Sequence, residues 1–260
     1  SNPESGELWS VAFGAAREEG DYTALEHTLE ATRIRIATQT GVNQESSATM
    51  ARWLGQTKEA QGDNEAAERL YAEAIGLAPE RTDIWTAYMS FARQTGRTMQ
   101  ARELLAAQCI RIRETGRMST LFEGLDVALR GGNEGLARGV SILRASVEQY
   151  GPEELGWAAH VFLDELSEIG ESSETSQTCA SIAVLFAASG QYSQAERLFE
   201  QAALGLSDEA LASDAAWSAL SLMQLNRREE AISVLRRASV AIPEHIDTGM
   251  LLARLLATGG

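Results

Sequence analysis

One seventeen-residue phrase, written twice, constrains this chain more than any other feature. KEAQGDNEAAERLYAEA runs from Lys58 to Ala74, and FAASGQYSQAERLFEQA runs from Phe186 to Ala202. The copies lie 128 residues apart and agree at seven of seventeen positions. Each carries a Gly (Gly62, Gly190), then an Ala (Ala67, Ala195), an aromatic (Tyr71, Phe199) and a second Ala (Ala74, Ala202). Gly suits a helix end that turns through positive φ, where a side chain is strained. The first Ala is small enough for a second helix to approach the first closely. The aromatic one turn later fills the space between them. Pro79, and Pro243 in a later copy, then stop the second helix. A chain built this way folds as stacked helix–turn–helix units, which bury together a core that no single unit could make.

Further copies follow the same plan. DIWTAYMSFARQTGRTMQARELL has Trp85, a turn at Gly96 and Ala101, which lies 34 residues after Ala67. SDAAWSALSLMQLNRREEAISVLRRASVAIPE has Asn226 in the turn, then Ala231, Leu235, Ala238 and Pro243. Asn is the next-best residue for the left-handed turn. Weaker copies carry Trp9 with Gly20, and Gly132 with Ala137. The 34-residue period and these small and aromatic positions resemble the tetratricopeptide repeat (TPR) family. The match is best around Leu54, Gly55, Ala67, Tyr71, Ala74 and Pro79, and around Ile182, Ala183, Phe186, Ala195, Phe199 and Ala202. The series Trp85, Tyr88 and Phe91 also resembles half-a-TPR repeats, or reads as a core stripe.

Composition agrees: Ala, Leu and Glu are the commonest residues, with only four prolines, and these three are good helix formers. The expected fold is all-α, about fourteen helices between residues 5 and 258. The resemblance implies a right-handed superhelical solenoid with a concave face. Spacing suggests three segments: 1–150, TPR-like; 151–174, an extra helix and a Ser/Glu-rich loop, or a decayed repeat, that breaks the register; and 175–260, TPR with its last repeat incomplete. Helices are expected at 133–150 and at 208–225, among others. The final helix, 245–258, carries Met250, Leu251, Leu252, Leu255 and Leu256. It pairs with further chain, joins a second copy as a homodimer, or docks on the preceding pair.

The net charge of −15 argues against nucleic acid and against an anionic membrane surface. No stretch is apolar enough for direct membrane insertion. Between Arg97 and Arg144 lie eight Arg and five acids; from Ala145 to Glu196 there are nine acids and no Lys or Arg. Arg102, Arg111, Arg113 and Arg117 form a local basic patch, read as a seat for an acidic peptide or as helix-end arginines favoured by the dipole. The Arg excess over a single Lys, Lys58, hints at a GC-rich, bacterial genome. Opening on Ser1-Asn2-Pro3 reads as a cloning remnant, so the natural N-terminus is expected to be missing and the compartment, cytoplasmic or periplasmic, stays open.

Chemistry-bearing clusters are not legible. His27, His160 and His245 are isolated. Cys109 and Cys179 lack metal-ligand spacing and read as two buried free thiols. No nucleophile stands beside a base, and no cofactor or metal is implied. The resemblance instead implies a non-catalytic scaffold that takes a peptide or partner protein in the concave groove, mostly through the first helix of each pair. Matched to this sequence, that face offers Arg52, Trp53, Gln56 and Glu59, then Thr86, Ser90 and Arg93, and near the C-terminus Trp217, Leu220, Met223 and Gln224. Trp53 and Trp217 take equivalent places, where a large aromatic anchors a peptide or wedges between repeats. Chaperone-binding members of the family carry Lys and Asn where this chain has Arg52 and Gln56, then Thr86 and Ser90, so a chaperone-tail receptor is not expected. The alternatives are an accessory segment of a larger enzyme or of a secretion or envelope assembly, and a self-assembly module acting through the last helix.

Overall fold

The computed structural model describes residues 6–38, 44–116, 118–169 and 173–257, the side chains of residues 6, 173, 174 and 247 aside. Among the described residues there are fifteen α-helices and no strand, so the chain is all-α. It divides into two compact units, Ser1–Arg117 and Met118–Gly260. The division falls inside the segment that spacing alone treats as continuous, 1–150.

Unit 1 comprises α1 (Gly6–Glu19), α2 (Thr23–Thr38), α3 (Gln44–Ala60), α4 (Asn64–Leu77), α5 (Thr82–Thr95) and α6 (Thr98–Thr115). Unit 2 comprises α7 (Thr120–Arg130), α8 (Gly132–Ala145), a 3-10 turn (Val147–Gln149), α9 (Pro152–Ile169), α10 (Ser173–Ala188) and α11 (Tyr192–Ala203). It continues with α12 (Asp208–Ala212), α13 (Ala215–Gln224), α14 (Arg228–Ala241) and α15 (Ile246–Ala257). Consecutive helices pack as pairs, α3 on α4, α7 on α8, α10 on α11 and α13 on α14.

The pairs form because one turn chemistry recurs. Gly20, Gly62, Gly96 and Gly190 have φ between 70° and 81°, and Asn226 has φ 60°. At each, the next residue's N–H donates to the carbonyl five residues back: Asp21 to Ala16, Asp63 to Lys58, Arg97 to Ala92, Gln191 to Phe186 and Arg227 to Leu222. This closes the first helix and satisfies one of its orphan carbonyls. At the first good copy Asp63 also caps α4, its carboxylate accepting from the Ala66 N–H at 3.1 Å. Ala67, Ala101, Ala195 and Ala231 are all fully buried.

In unit 1 the aromatics form the joint between α4 and α5. Tyr71 lies 5.4 Å from Phe91 and 5.9 Å from Tyr88, centroid to centroid. Trp85 is wholly buried, and its indole N–H donates to the Pro79 carbonyl at 2.8 Å. The Trp85, Tyr88 and Phe91 series is therefore core. Lys58 binds Glu26 at 2.6 Å and ties α3 to α2.

Three sequence expectations change in unit 2. Ala137 is exposed, and the close approach of α7 and α8 is made by glycines instead. A Cβ at Gly135 would stand 2.6 Å from the Val127 carbonyl, and one at Gly124 would stand 2.8 Å from that of Gly139. Gly135 lies 34 residues after Ala101, so the true period was masked by Gly replacing Ala. The helix expected over 133–150 ends at Ala145 and tightens into the 3-10 turn. There Tyr150 hydroxyl accepts from the Leu121 N–H at 3.0 Å and pairs with Thr120 Oγ1 at 2.6 Å, capping α7. The single helix expected over 208–225 is two, α12 and α13, broken at Asp214. That carboxylate is buried and bound bidentately by Arg144 of α8, which also reaches Ser181 Oγ at 3.2 Å.

Within 151–174 lies one helix, α9, which packs against α7, α8 and α10. The loop after it, at 170–172, lies outside the described residues, as do Arg117 and Gly259-Gly260. Helix α15 docks on α13 and α14, and Arg228 donates to the Leu255 carbonyl. Cys109 and Cys179 are buried thiols not joined in a disulfide, and burial pushes the Cys179 thiol up.

Candidate functional site

The candidate face in unit 1 is carried by the first helices of two successive pairs, α3 and α5. Arg52, Gln56 and Glu59 follow one another at helical spacing along α3, and Thr86, Ser90 and Arg93 do so along α5. Arg52, Gln56, Glu59, Thr86 and Ser90 are half-buried, and Arg93 is exposed.

An ion cluster holds the two helices together. Asp83, in the first turn of α5, stands 3.7 Å from the Arg52 guanidinium. It also accepts a bidentate pair from Arg81, at 3.0 and 2.6 Å. Arg81 donates in turn to Thr49 Oγ1 at 2.7 Å and to the Glu45 carbonyl at 3.4 Å. Bidentate Arg–carboxylate geometry is directional, so this cluster orients α3 relative to α5. Neither Arg81 nor Asp83 is among the residues the resemblance singles out. The acid two residues after Arg81, at the start of a helix, was the available signal.

Beneath the face, Tyr71 hydroxyl donates to Glu59 Oε2 at 2.6 Å. Burial pushes the Glu59 carboxyl above its ordinary value, and the Tyr71 bond offsets only part of that. Burial, with Glu59 beside it, pushes Tyr71 far up; Tyr88, desolvated and near Glu68, is pushed up to about 12. All three therefore hold their protons more tightly than in water. Two polar atoms of the face, Gln56 Oε1 and Thr86 Oγ1, are buried without a hydrogen-bond partner.

The two tryptophans are not equivalent. Trp53 is 7% exposed. Its ring lies 6.0 Å from Phe13 of α1, within a core that includes Trp9, Leu29, Met50 and Leu54, and Arg52 covers it at 4.7 Å. That is the wedge placement. Trp217 on α13 is half-buried; with it lie half-buried Met223 and exposed Leu220 and Gln224. Unit 1 thus presents a polar face and unit 2 a more apolar one.

Of the basic patch, Arg111 and Arg113 are exposed on α6 and Arg102 is half-buried; Arg111 donates to Gln108 at 2.8 Å. His160 pairs with Gln191 at 3.0 Å and stands edge-on to Phe186. Among the described residues no three His, Cys, Asp or Glu cluster to hold a metal ion, and no helix is long and apolar enough to cross a membrane.

Tetratricopeptide repeat profiles match residues 53–81 and 178–211. No curated protein matches the sequence. Among solved structures, the chain resembles one from the APC/C hetero-tetramer Cut9-Hcn1 at 14% identity and TM-score 0.34, covering 98% of this chain and 50% of that one. It resembles the assembly chaperone of RpL4, Acl4, at 14% identity and TM-score 0.34, covering 99% and 96%. A chain of Naa15/Naa10 bound to HypK-THB follows at 17% identity and TM-score 0.33, covering 89% and 39%. The chain spans half of the first of these and less of the third. Likeness at this level transfers neither ligand nor partner. The profile matches fall on hairpin α3–α4 and on hairpin α10–α11 with the start of α12, one in each compact unit, and at those two places the chain matches the tetratricopeptide repeat.

Proposed function

We propose that this protein–protein interaction scaffold receives a peptide segment of a partner along the α3–α5 face of unit 1. The observation that carries the reading is the pair Gln56 Oε1 and Thr86 Oγ1. They are buried polar atoms on facing helices with nothing to bond. An unmet buried polar group costs about 1–3 kcal/mol; both atoms are sealed from solvent, so a peptide that relieves them with its N–H groups draws the Gln56 and Thr86 side chains outward as it docks. Arg52 and Arg93 flank them and suit a peptide carrying carboxylates. The α13 face, with Trp217, Leu220 and Met223, offers apolar contact to the same or another partner.

The test is a pull-down from the source organism's lysate with wild type, Gln56→Ala/Thr86→Ala and Leu220→Asp, each first shown equally helical by circular dichroism. Loss of a partner in the Gln56/Thr86 variant supports the α3–α5 face. A partner retained by that variant overturns it.

Self-association through α15 is a second reading. It is favoured by the exposure of Ile246, Met250 and Leu256 while Leu255 is buried against α13 and α14. Met250→Glu/Leu256→Glu should then convert a dimer to a monomer in analytical ultracentrifugation, and an unchanged mass removes the idea.

A further inference from the structure

The connection between α11 and α13 opens a cleft. Residues 204–214 leave α11, form the short helix α12 and enter α13. The walls come from α11, α12, α13 and α14, so most of the site lies away from the first-helix face described above. Its apolar lining includes Phe199, Leu211, Ala215 and Val234. The cavity measures about 110 Å³, well below the roughly 300–1,000 Å³ of pockets that enclose a whole small molecule. It has room for one side chain.

The polar lining is predominantly acidic. Glu196, Glu200 and Asp208 line the cleft, with Asp214 behind them. Asp214 is already matched by Arg144. Glu196 and Glu200 share one cation, Arg227, at 3.6 and 3.5 Å, and Arg227 is also claimed by Glu230 at 2.6 Å. Asp208 pairs with Arg237 at 3.6 Å, both side chains being more than half exposed, and such a pair contributes little. Four carboxylates therefore line the cleft with one basic residue, Arg237, while Arg144 and Arg227 reach three of the four from outside the lining. Glu196 is only 8% exposed, and its Oε2 has no hydrogen-bond partner. Burial pushes its carboxyl up, with Glu200 and Glu230 adding to the effect and Arg227 opposing it.

We infer that this cleft is a receptor for one basic side chain, arginine or lysine, presented by a partner protein. The methylene stem of such a residue packs along Phe199, Leu211 and Val234, as long basic side chains do on apolar surface. Its charged head meets the Glu196–Glu200–Asp208 wall and supplies the missing positive charge. Arg237, weakly held, is displaced toward solvent.

The test is a two-dimensional methyl NMR titration of the whole chain, following Leu211 and Val234. The probes are three acetylated, amidated pentapeptides, Ala-Ala-X-Ala-Ala with X as arginine, lysine or norleucine, and free n-butylguanidinium. The arginine or lysine peptide should shift both methyl groups saturably, and the norleucine peptide should not. Glu196→Gln should weaken binding about tenfold, as expected for removal of a charge-assisted partner. Because that residue is buried, Glu200→Gln, with its side chain exposed, serves as a second variant and should weaken binding in the same direction. No saturable shift with either cationic peptide, or equal shifts with norleucine, overturns the inference. Tighter binding of n-butylguanidinium than of the peptides would assign the cleft to a small cation and overturn the partner source.

Discussion

The α3–α4 and α10–α11 hairpins are built from the same phrase and joined onward in different ways. Residue by residue, 128 positions apart, Gly55 aligns with Ala183, Glu59 with Ala187, and Tyr71 with Phe199. In unit 1 the short link 78–81 brings α5 directly against α4, and Tyr71 is sealed between Tyr88 and Phe91. In unit 2 the longer link 204–214 carries α12, and Phe199 lines a cleft. The hydrogen-bonded pair Tyr71–Glu59 is replaced as a unit by apolar Phe199 and Ala187, so donor and acceptor are lost together. The difference teaches that the phrase specifies the hairpin, while the connector after it decides whether its aromatic closes a joint or walls a cavity.

Truncating the two aromatics should give the largest contrast. Tyr71→Ala should cost about 3–5 kcal/mol in urea denaturation, as wholly buried aromatics do. Phe199→Ala should cost clearly less, because a space already adjoins it. Equal losses would break the comparison.

At the α12–α13 break the buried Asp214 carboxylate is held by Arg144. Arg144→Met should cost about 3–5 kcal/mol, since it strands the Asp214 carboxylate, and adding Asp214→Leu should restore much of the loss. A single variant as stable as wild type would mean that the α12–α13 break does not rest on this pair.

A smaller effect concerns the space under Tyr71. A Cβ at Gly55 would stand 3.1 Å from that ring. Gly55→Ala should therefore cost about 1–3 kcal/mol by overpacking, although Ala is the better helix former. The reverse change at the aligned site, Ala183→Gly, should cost about 1 kcal/mol through helix propensity. Thermal unfolding of the two variants side by side reads the difference.

The smallest effect is pH dependence. The folded Glu59 carboxyl is raised above its ordinary 4.5, so the folded chain binds that proton more tightly than the unfolded one. Its contribution is complete below 4.5 and is lost as pH rises through the folded value. Wild type should therefore lose stability across that window relative to Glu59→Gln. Parallel curves for the two would show that burial does not hold the proton.

Much of this was legible in advance because it is local. The turn residues Gly62, Gly96, Gly190 and Asn226 were identifiable, since only a few residues tolerate positive φ, and all four adopt it. The candidate face was only partly legible. The matched positions named Gln56 and Thr86, but a repeat position cannot say whether Trp53 is displayed or wedged. Phe13, on a different helix pair, decides that. Arg81 and Asp83 escaped notice for the same reason, because the α3 residues they bind, Thr49 and Arg52, lie more than thirty residues upstream.

By itself, then, the sequence determined that this chain is an all-α series of helix pairs with small residues at the crossings, because backbone turns and helical spacing are properties of neighbours along the chain. Only the tertiary structure decided that Gly135 rather than Ala137 makes the α7–α8 approach, that the chain breaks at Asp214, and that Phe199 borders a cleft with surplus acid. Those outcomes depend on groups far apart in sequence. Arg144 and Asp214 are separated by 70 residues, and burial raises the energy of leaving either one alone.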